Sequence, residues 1–97
     1  MILVRYVFQV KWGKVHEVLE GMKKPEEILG EKYGRVRILT DLSGQFNTVV
    51  QEVEVESLAE WEAGRAELFA RPEFQKMMAD TADLMESGRV EFYTIES

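Results

Sequence analysis

The stretch ILVRYVFQV, at Ile2–Val10, decides the fold. Successive side chains of a strand lie on opposite faces, so this stretch divides into two sets. One face has Val4, Tyr6, Phe8 and Val10, and the other has Leu3 and Val7 together with Arg5 and Gln9. Both faces therefore present bulky apolar side chains. Such a nearly continuous run of β-branched and aromatic residues is typical of a strand that is covered on both sides.

The charge balance narrows the range of partners. The 97 residues include 12 Lys and Arg against 18 Asp and Glu, a formal net charge of -6. Nucleic acids and anionic membrane surfaces are bound through clustered positive charge, so we expect neither as a partner. With 45% hydrophobic residues the chain can bury a core. Its length fits a single domain over residues 1–97.

The chain contains no cysteine. This excludes disulfides, cysteine-ligated zinc, iron–sulfur clusters and thiol nucleophiles. No stretch approaches the roughly 20 apolar residues of a membrane span, and the first residues do not have the pattern of a signal peptide. We therefore expect a soluble, cytoplasmic protein, and we predict neither a metal nor another cofactor.

Helical periodicity follows the first strand. The apolar residues Val15, Val18, Leu19 and Met22 recur at helical spacing and predict the first helix. Pro25 has no amide proton to donate, so we expect a kink or break near Lys24, with a short second helix over 26–29.

The rest of the chain predicts a hairpin, a helical region and a last strand. Two strands, 35–42 and 45–56, flank a turn signal at 41–44 in which Gly44 is free to take positive φ. Ser57–Glu60 has the sequence of a capping box and marks the start of a helix. Pro72 suits the first turn of a further helical segment, and we expect Gly88 to end that segment. A fourth strand is predicted over 89–96.

The predicted order is strand, helix, strand, strand, helix, strand. This is the ferredoxin-like α+β arrangement, βαββαβ, in which a four-stranded antiparallel sheet carries its helices on one face. The opposite face of the sheet then has no cover within one chain. Because both faces of Ile2–Val10 are apolar, we predict a homodimer in which two sheets pack face to face.

Over nearly its full length the chain resembles the dimeric α+β-barrel superfamily, in particular its small antibiotic-biosynthesis-monooxygenase-like and NIPSNAP-like branches. The resemblance is carried by VKWGK at Val10–Lys14, VEVESLAEW at Val53–Trp61 and ARPEF at Ala70–Phe74. It implies the ferredoxin-like fold and the dimeric barrel. Members of this superfamily include cofactor-independent monooxygenases, haem-degrading enzymes, muconolactone-isomerase-like enzymes, effector-binding regulatory domains and proteins with no known activity.

Two features of those enzymes are missing from this sequence. Haem-degrading members have an asparagine on the first strand and a histidine on the second long helix, and neither is present here. Many monooxygenase-like members have a tryptophan near the end of the third strand, where this chain has Val53-Glu54-Val55. Both differences weaken the enzyme interpretations that the resemblance implies.

Polar residues that interrupt the apolar strands are the candidates for ligand binding. If Val4, Tyr6 and Phe8 face the helices, Arg5 and Gln9 point into the space between the two sheets of a dimer. A charged group buried there needs a partner. Arg5 therefore either forms a salt bridge with Glu52 or Glu91, or binds a ligand carboxylate. The candidate ligand-binding residues are Arg5, Gln9, Arg37, Tyr93 and Trp61.

Other conspicuous residues have structural explanations. We interpret His16, the only histidine, as a surface or core-boundary residue rather than a base or metal ligand. We interpret the row Glu52, Glu54 and Glu56 as solvated or paired across strands rather than as a cation site. The residues Trp12, Trp61, Phe69, Phe74, Met77 and Met78 could line a pocket for an aromatic ligand, but their spacing is more typical of a helix core.

Three functional hypotheses follow. The favoured one is a homodimer with a modest cavity per protomer, between sheet and helices or between the sheets, that binds a small apolar or aromatic molecule. The second rests on the resemblance alone: a cofactor-independent monooxygenase or isomerase acting on an aromatic or lactone substrate, with Tyr93, Tyr6, Trp61 and His16 as the residues to test. The third is a structural or interaction dimer without a ligand, its interior filled by Met and Phe side chains.

Overall fold

The computed structural model describes residues 1–29 and 36–97, and the side chains of 23–29 are outside the description. The elements in chain order are β1 (Ile2–Val10), α1 (Val15–Leu29), β2 (Val36–Thr40), β3 (Thr48–Val55), α2 (Leu58–Phe69), α3 (Pro72–Ala82) and β4 (Met85–Thr94). This confirms the ferredoxin-like α+β fold, with the second helical region divided into α2 and α3. The predicted start of the second strand at Arg35 lies outside the described residues.

The four strands form one antiparallel sheet in the order β2-β3-β1-β4. The central strand β1 pairs with β3 on one side and with β4 on the other. The predicted hairpin is confirmed, since β2 pairs with β3 from Val36↔Val53 to Thr40↔Val49. Its loop is longer than predicted, because β3 begins only at Thr48. Within this loop Gly44 has the expected positive φ of 92°, and Asn47 has a φ of 61°.

All three helices lie on the side of the sheet that contains the even-numbered residues of β1. Val10 packs with Val18 and Met22 of α1 and with Val49 of β3 in the buried core. The helices α2 and α3 lie over Tyr6 and Phe8. The odd-numbered residues of β1, which are Leu3, Arg5, Val7 and Gln9, and their neighbours on the adjacent strands form the opposite side, called the open face below. Within the described residues no helix covers the open face.

Further predicted boundaries are wrong. The fourth strand, predicted over 89–96, runs over Met85–Thr94. The first helix continues to Leu29 as one element, so it is not broken near Lys24 and there is no separate helix over 26–29. A proline removes one backbone hydrogen bond, and the bonds on either side can carry a helix past it. Gly88 does not end a helix but lies inside β4 opposite Phe8. A Cβ at Gly88 would come within 3.1 Å of the Phe8 ring, so this position needs close approach rather than a helix stop.

The predicted cap of α2 is present with one difference. Ser57 Oγ accepts a hydrogen bond from the Glu60 amide at 3.1 Å. The Glu60 side chain turns back but accepts from the amide of Glu56, at 2.9 Å, instead of that of Ser57. The cap fixes the start of α2 directly after β3. It therefore fixes which α2 residues lie over the sheet.

Among the helices of the described chain, none combines the length and the apolar character needed to cross a bilayer.

Candidate ligand-binding cavity

A cavity of about 430 Å³ lies between the sheet and the helices. Its walls are mainly apolar and include Phe8 and Val53 from the sheet and Phe69, Phe74 and Met77 from α2 and α3. Small-molecule sites are usually clefts of this kind, with a few polar groups in an apolar lining. Five of the residues interpreted above as core line it: Trp61, Phe69, Phe74, Met77 and Met78.

Trp12 is an exception, and its assignment to a core is wrong. Its side chain is 77% exposed and packs edge-on against the ring of Phe46, with the ring centres 5.8 Å apart. Trp12 lies in the turn between β1 and α1, and its exposure shows that this turn does not contribute to the core.

Tyr6 and Trp61 connect β1 to α2 at the cavity wall. Trp61 Nε1 donates a hydrogen bond to the Tyr6 hydroxyl oxygen at 2.7 Å. Because this oxygen acts as the acceptor, the Tyr6 proton remains available, and it has no acceptor among the described residues. Burial raises the pKa of Tyr6, against the opposing effects of the Trp61 hydrogen bond and the positive charge of Arg65. The phenol is therefore protonated at neutral pH and can act as a hydrogen-bond donor.

Arg65 lies at the rim of the cavity on α2, four residues after Trp61 and four before Phe69. Its guanidinium carbon is 4.7 Å from the centre of the Phe69 ring and 5.6 Å from that of Trp61. Both distances are within the range of cation–π attraction. The two rings therefore hold the positive charge at the entrance to the cavity.

Gln51 is a second polar residue on the sheet side of the cavity. It lies opposite Tyr6 in the β1–β3 register. Its side-chain amide lines the cavity and has no hydrogen-bond partner in the described part of the chain. Tyr6, Gln51 and Arg65 thus line the cavity with hydrogen-bond donors that have no acceptor among the described residues.

The five residues predicted to bind a ligand do not lie together. Trp61 lines the cavity, whereas the other four lie on the open face. Arg5, Gln9 and Tyr93 are on β1 and β4, and Arg37 is on β2 next to Glu52. The open face has its own shallow depression of about 560 Å³ around Arg5, Val7 and Arg89, with a more polar lining.

A row of alternating charges crosses the open face. Arg37 Nη2 lies 2.6 Å from Glu52 Oε1, and Arg5 Nε lies 3.5 Å from the other oxygen of Glu52. Arg5 Nη1 is also 3.8 Å from Glu91 Oε1. A hydrogen bond from Arg89 holds the pKa of Glu91 below its ordinary value. The predicted salt bridge of Arg5 is therefore confirmed, with both proposed partners.

The remaining polar candidates have structural roles. Gln9 Nε2 donates to the carbonyl oxygen of Phe46 and so ties β1 to the hairpin loop. His16 is a surface residue, as interpreted, with its side chain 86% exposed and 3.9 Å from Glu20. Glu54 and Glu56 are exposed, while Glu52 is paired across strands. Within the described residues no cluster of three His, Asp or Glu side chains is placed to hold a metal ion.

Comparison with known families bears directly on the fold. The sequence profile described as NIPSNAP matches residues 4–96. The chain belongs to the NIPSNAP family. This confirms the resemblance noted from the sequence. No curated protein matches the sequence at a significant level.

Solved structures similar to this NIPSNAP chain come from both branches of the superfamily. An uncharacterized NIPSNAP domain protein from Burkholderia xenovorans is 23% identical, with a TM-score of 0.87 over 100% of this chain and 96% of that one. A NIPSNAP family protein from Agrobacterium tumefaciens is 18% identical, with a TM-score of 0.87 over 96% and 90% of the two chains. A candidate antibiotic biosynthesis monooxygenase from Nitrosomonas europaea is 17% identical, with a TM-score of 0.80 over 100% of both. Similarity at these identities shows a common fold only.

Two cavity residues of this NIPSNAP chain were missed by sequence reasoning, although both left a signal. Gln51 is the polar interruption in the apolar series Val49, Val53 and Val55 on β3. Arg65 interrupts the apolar stripe of α2 at helical spacing from Trp61 and Phe69. A polar residue within an apolar periodic series marks a place where a core side chain is replaced by a functional or structural group.

Proposed function

We propose that this NIPSNAP protein binds a small apolar or aromatic molecule in the cavity between sheet and helices. The observation that carries the proposal is the cavity of about 430 Å³, whose lining is mainly aromatic and aliphatic. Moving an apolar ligand out of water into such a lining is favourable by about 25 cal/mol per Å² of buried surface. The open cavity supports this hypothesis over an interior filled by Met and Phe side chains.

Calorimetric titration with 2-naphthylmethanol, a neutral aromatic probe, tests the proposal. Ala82 of α3 lines the cavity, whereas Ala79 is exposed on the same helix outside the lining. We expect Ala82→Phe to weaken binding by about tenfold or more, because the added ring occupies ligand volume. The matched variant Ala79→Phe should bind like the parent protein. Equal binding by both variants, or no binding by the parent, would contradict the proposal.

We propose that the functional unit is a homodimer packed through the open faces. The apolar residues of that face, including Leu3, Val7, Leu39 and Val50, support it. The charged row supports it further, because strand order places Arg37, Glu52, Arg5 and Glu91 side by side with alternating sign. A twofold axis parallel to the strands brings each positive side chain opposite a negative one of the second copy. An axis along the row would set like charges against each other.

Sedimentation analysis of two matched variants tests the dimer. Leu39 is 40% exposed on the open face, so Leu39→Glu adds a charge there without entering the core of one chain. Ala63 is exposed on α2, on the other side of the sheet, and Ala63→Glu adds the same charge. We expect the Leu39 variant to dissociate and the Ala63 variant to remain dimeric. A monomeric parent protein would rule this assembly out.

One observation favours a second candidate function, cofactor-independent oxidation or isomerisation of an aromatic or lactone substrate. Tyr6 presents an available hydroxyl proton in the cavity, and a structurally similar protein is a candidate monooxygenase. Oxygen uptake with a dihydroxynaphthalene substrate tests this function. Tyr6→Phe and Trp61→Phe should reduce turnover, whereas Tyr93→Phe and His16→Gln, which lie outside the cavity, should not. Identical rates in all four variants would exclude these residues from catalysis.

A further inference from the structure

We infer that the ligand of this cavity carries an anionic oxygen group, in the simplest case a carboxylate, which is bound by Arg65 and the Tyr6 hydroxyl. The inference rests on the proposed ligand-binding function and narrows its ligands to small aromatic or aliphatic acids.

Arg65 differs from the other arginines of the described chain. Arg5, Arg37, Arg71 and Arg89 each have a glutamate within 4.0 Å. Arg65 is the arginine for which the described residues supply no carboxylate partner. Arg65 is exposed, so its charge is accessible to a ligand from solvent. Its position at the rim of an apolar cavity leaves this charge available to the anionic group of a ligand.

The surroundings of Arg65 prepare it for this role. Arg65 is exposed, and the rings of Phe69 and Trp61 attract its guanidinium and orient it over the rim of the cavity. A guanidinium has five N–H donors in a planar arrangement that matches the two oxygens of a carboxylate. The stacked arginine therefore offers hydrogen-bond donors whose acceptor is absent from the described residues.

Tyr6 and Gln51 add donors to the same cavity. The Tyr6 oxygen accepts from Trp61 at 2.7 Å, so its proton is directed to another acceptor. The positive charge of Arg65 acts on the Tyr6 hydroxyl, which places the two groups within electrostatic range of each other. The Gln51 amide lies across from Tyr6 on the neighbouring strand. A ligand with an apolar body and an acceptor-rich head satisfies all three groups, whereas a purely apolar ligand satisfies none.

Calorimetric titration with two probes of the same aromatic body tests the inference. The probes are 2-naphthoate, which is an anion at neutral pH, and 2-naphthylmethanol, which is neutral. We expect the parent protein to bind 2-naphthoate about tenfold more tightly, since a charge-assisted hydrogen bond contributes somewhat more than a neutral one. Added salt should reduce this preference, because screening weakens an ion pair at an exposed rim.

Substitutions at Arg65 test whether this side chain causes the preference for 2-naphthoate over 2-naphthylmethanol. Arg65→Met keeps the apolar contact with the rings and removes the charge, so the preference for 2-naphthoate should disappear while binding of the alcohol persists. Arg65→Lys keeps the charge and should retain part of the preference. The control Arg71→Met removes an equal charge from an arginine that pairs with Glu67 and is outside the cavity lining, and it should leave the preference unchanged.

The outcomes separate this inference from the proposal on which it rests. Equal affinity for the two probes, or an undiminished preference in Arg65→Met, would overturn the inference and leave the cavity as a site for neutral molecules. Binding of neither probe would overturn the proposed function and the inference with it. Tighter binding of 2-naphthoate that depends on Arg65 and not on Arg71 supports both.

Discussion

Glu52 and Arg37 face each other across β3 and β2, with Arg37 Nη2 2.6 Å from Glu52 Oε1. The second oxygen of the same carboxylate lies 3.5 Å from Arg5 on β1. Glu52 thus joins three adjacent strands through one side chain. It is 7% exposed, although no helix of the described residues covers the open face, because the two arginine side chains lie over it.

Glu52→Gln tests the contribution of this carboxylate to stability. The substitution keeps the shape of the side chain but leaves Arg5 and Arg37 without their shared negative partner. We expect the free energy of unfolding to fall by about 1–3 kcal/mol, measured by urea denaturation. The control Glu54→Gln removes an exposed charge from the same face and should cost less than about 0.5 kcal/mol. Equal losses in both variants would mean that the row of charges contributes little.

The hydrogen bond between Trp61 and Tyr6 predicts a measurable coupling between α2 and β1. A double-mutant cycle with Tyr6→Phe and Trp61→Phe isolates this contact from the packing lost at each position. We expect a coupling free energy of about 0.5–1.5 kcal/mol in denaturation experiments. A control cycle that combines Tyr6→Phe with Trp12→Phe, whose exposed ring packs on Phe46 instead, should show no coupling. Zero coupling in the first cycle would show that the contact adds nothing to stability.

The raised pKa of Tyr6 predicts a loss of stability at alkaline pH. Because burial raises the pKa of Tyr6, the folded protein binds this proton more tightly than the unfolded chain does. The contribution of this proton to the free energy of unfolding is complete below the pKa of an unfolded tyrosine, which is about 10. It is lost as the pH rises through the folded pKa of Tyr6. We expect phenolate absorbance to show a tyrosine that ionises late and that is missing from Tyr6→Phe. The variant Tyr93→Phe should still show this late-ionising tyrosine.

The backbone conformation of Asn47 in the hairpin loop predicts that alanine and glycine at this position differ in their effect on stability. Its φ of 61° lies in the left-handed region, which asparagine and glycine accept more readily than other residues. We expect Asn47→Ala to lower the free energy of unfolding by about 1 kcal/mol, because the Cβ of alanine is strained there without the local hydrogen bonding of asparagine. Asn47→Gly should be close to neutral. Thermal unfolding measures both variants, and equal stability of the alanine and glycine variants would contradict this strain.

Most strands and helices of the fold could be predicted from short stretches of sequence. The apolar alternation of Ile2–Val10, the hairpin, the cap at Ser57 and the helical stripes are local patterns, and local patterns depend on a few neighbouring residues. The same patterns gave the strand–helix order and, with it, the ferredoxin-like topology. The residues at which helices and strands end were predicted less well, and Gly88 is an example. This glycine resembled a helix stop, but its place is set by the Phe8 ring on another strand.

The candidate site could be predicted only in part. Tyr6 and Trp61 are 55 residues apart, and only the tertiary structure brings the indole nitrogen to the hydroxyl oxygen. Arg5 and Arg65 have the same chemistry in the sequence, yet the fold supplies glutamates to Arg5 and aromatic rings to Arg65. The sequence by itself determined which residues alternate on each strand and helix, because periodicity is a property of the local backbone. The tertiary structure decided which face meets the helices, which charges are paired and where a cavity remains, because those depend on contacts between residues far apart in the chain.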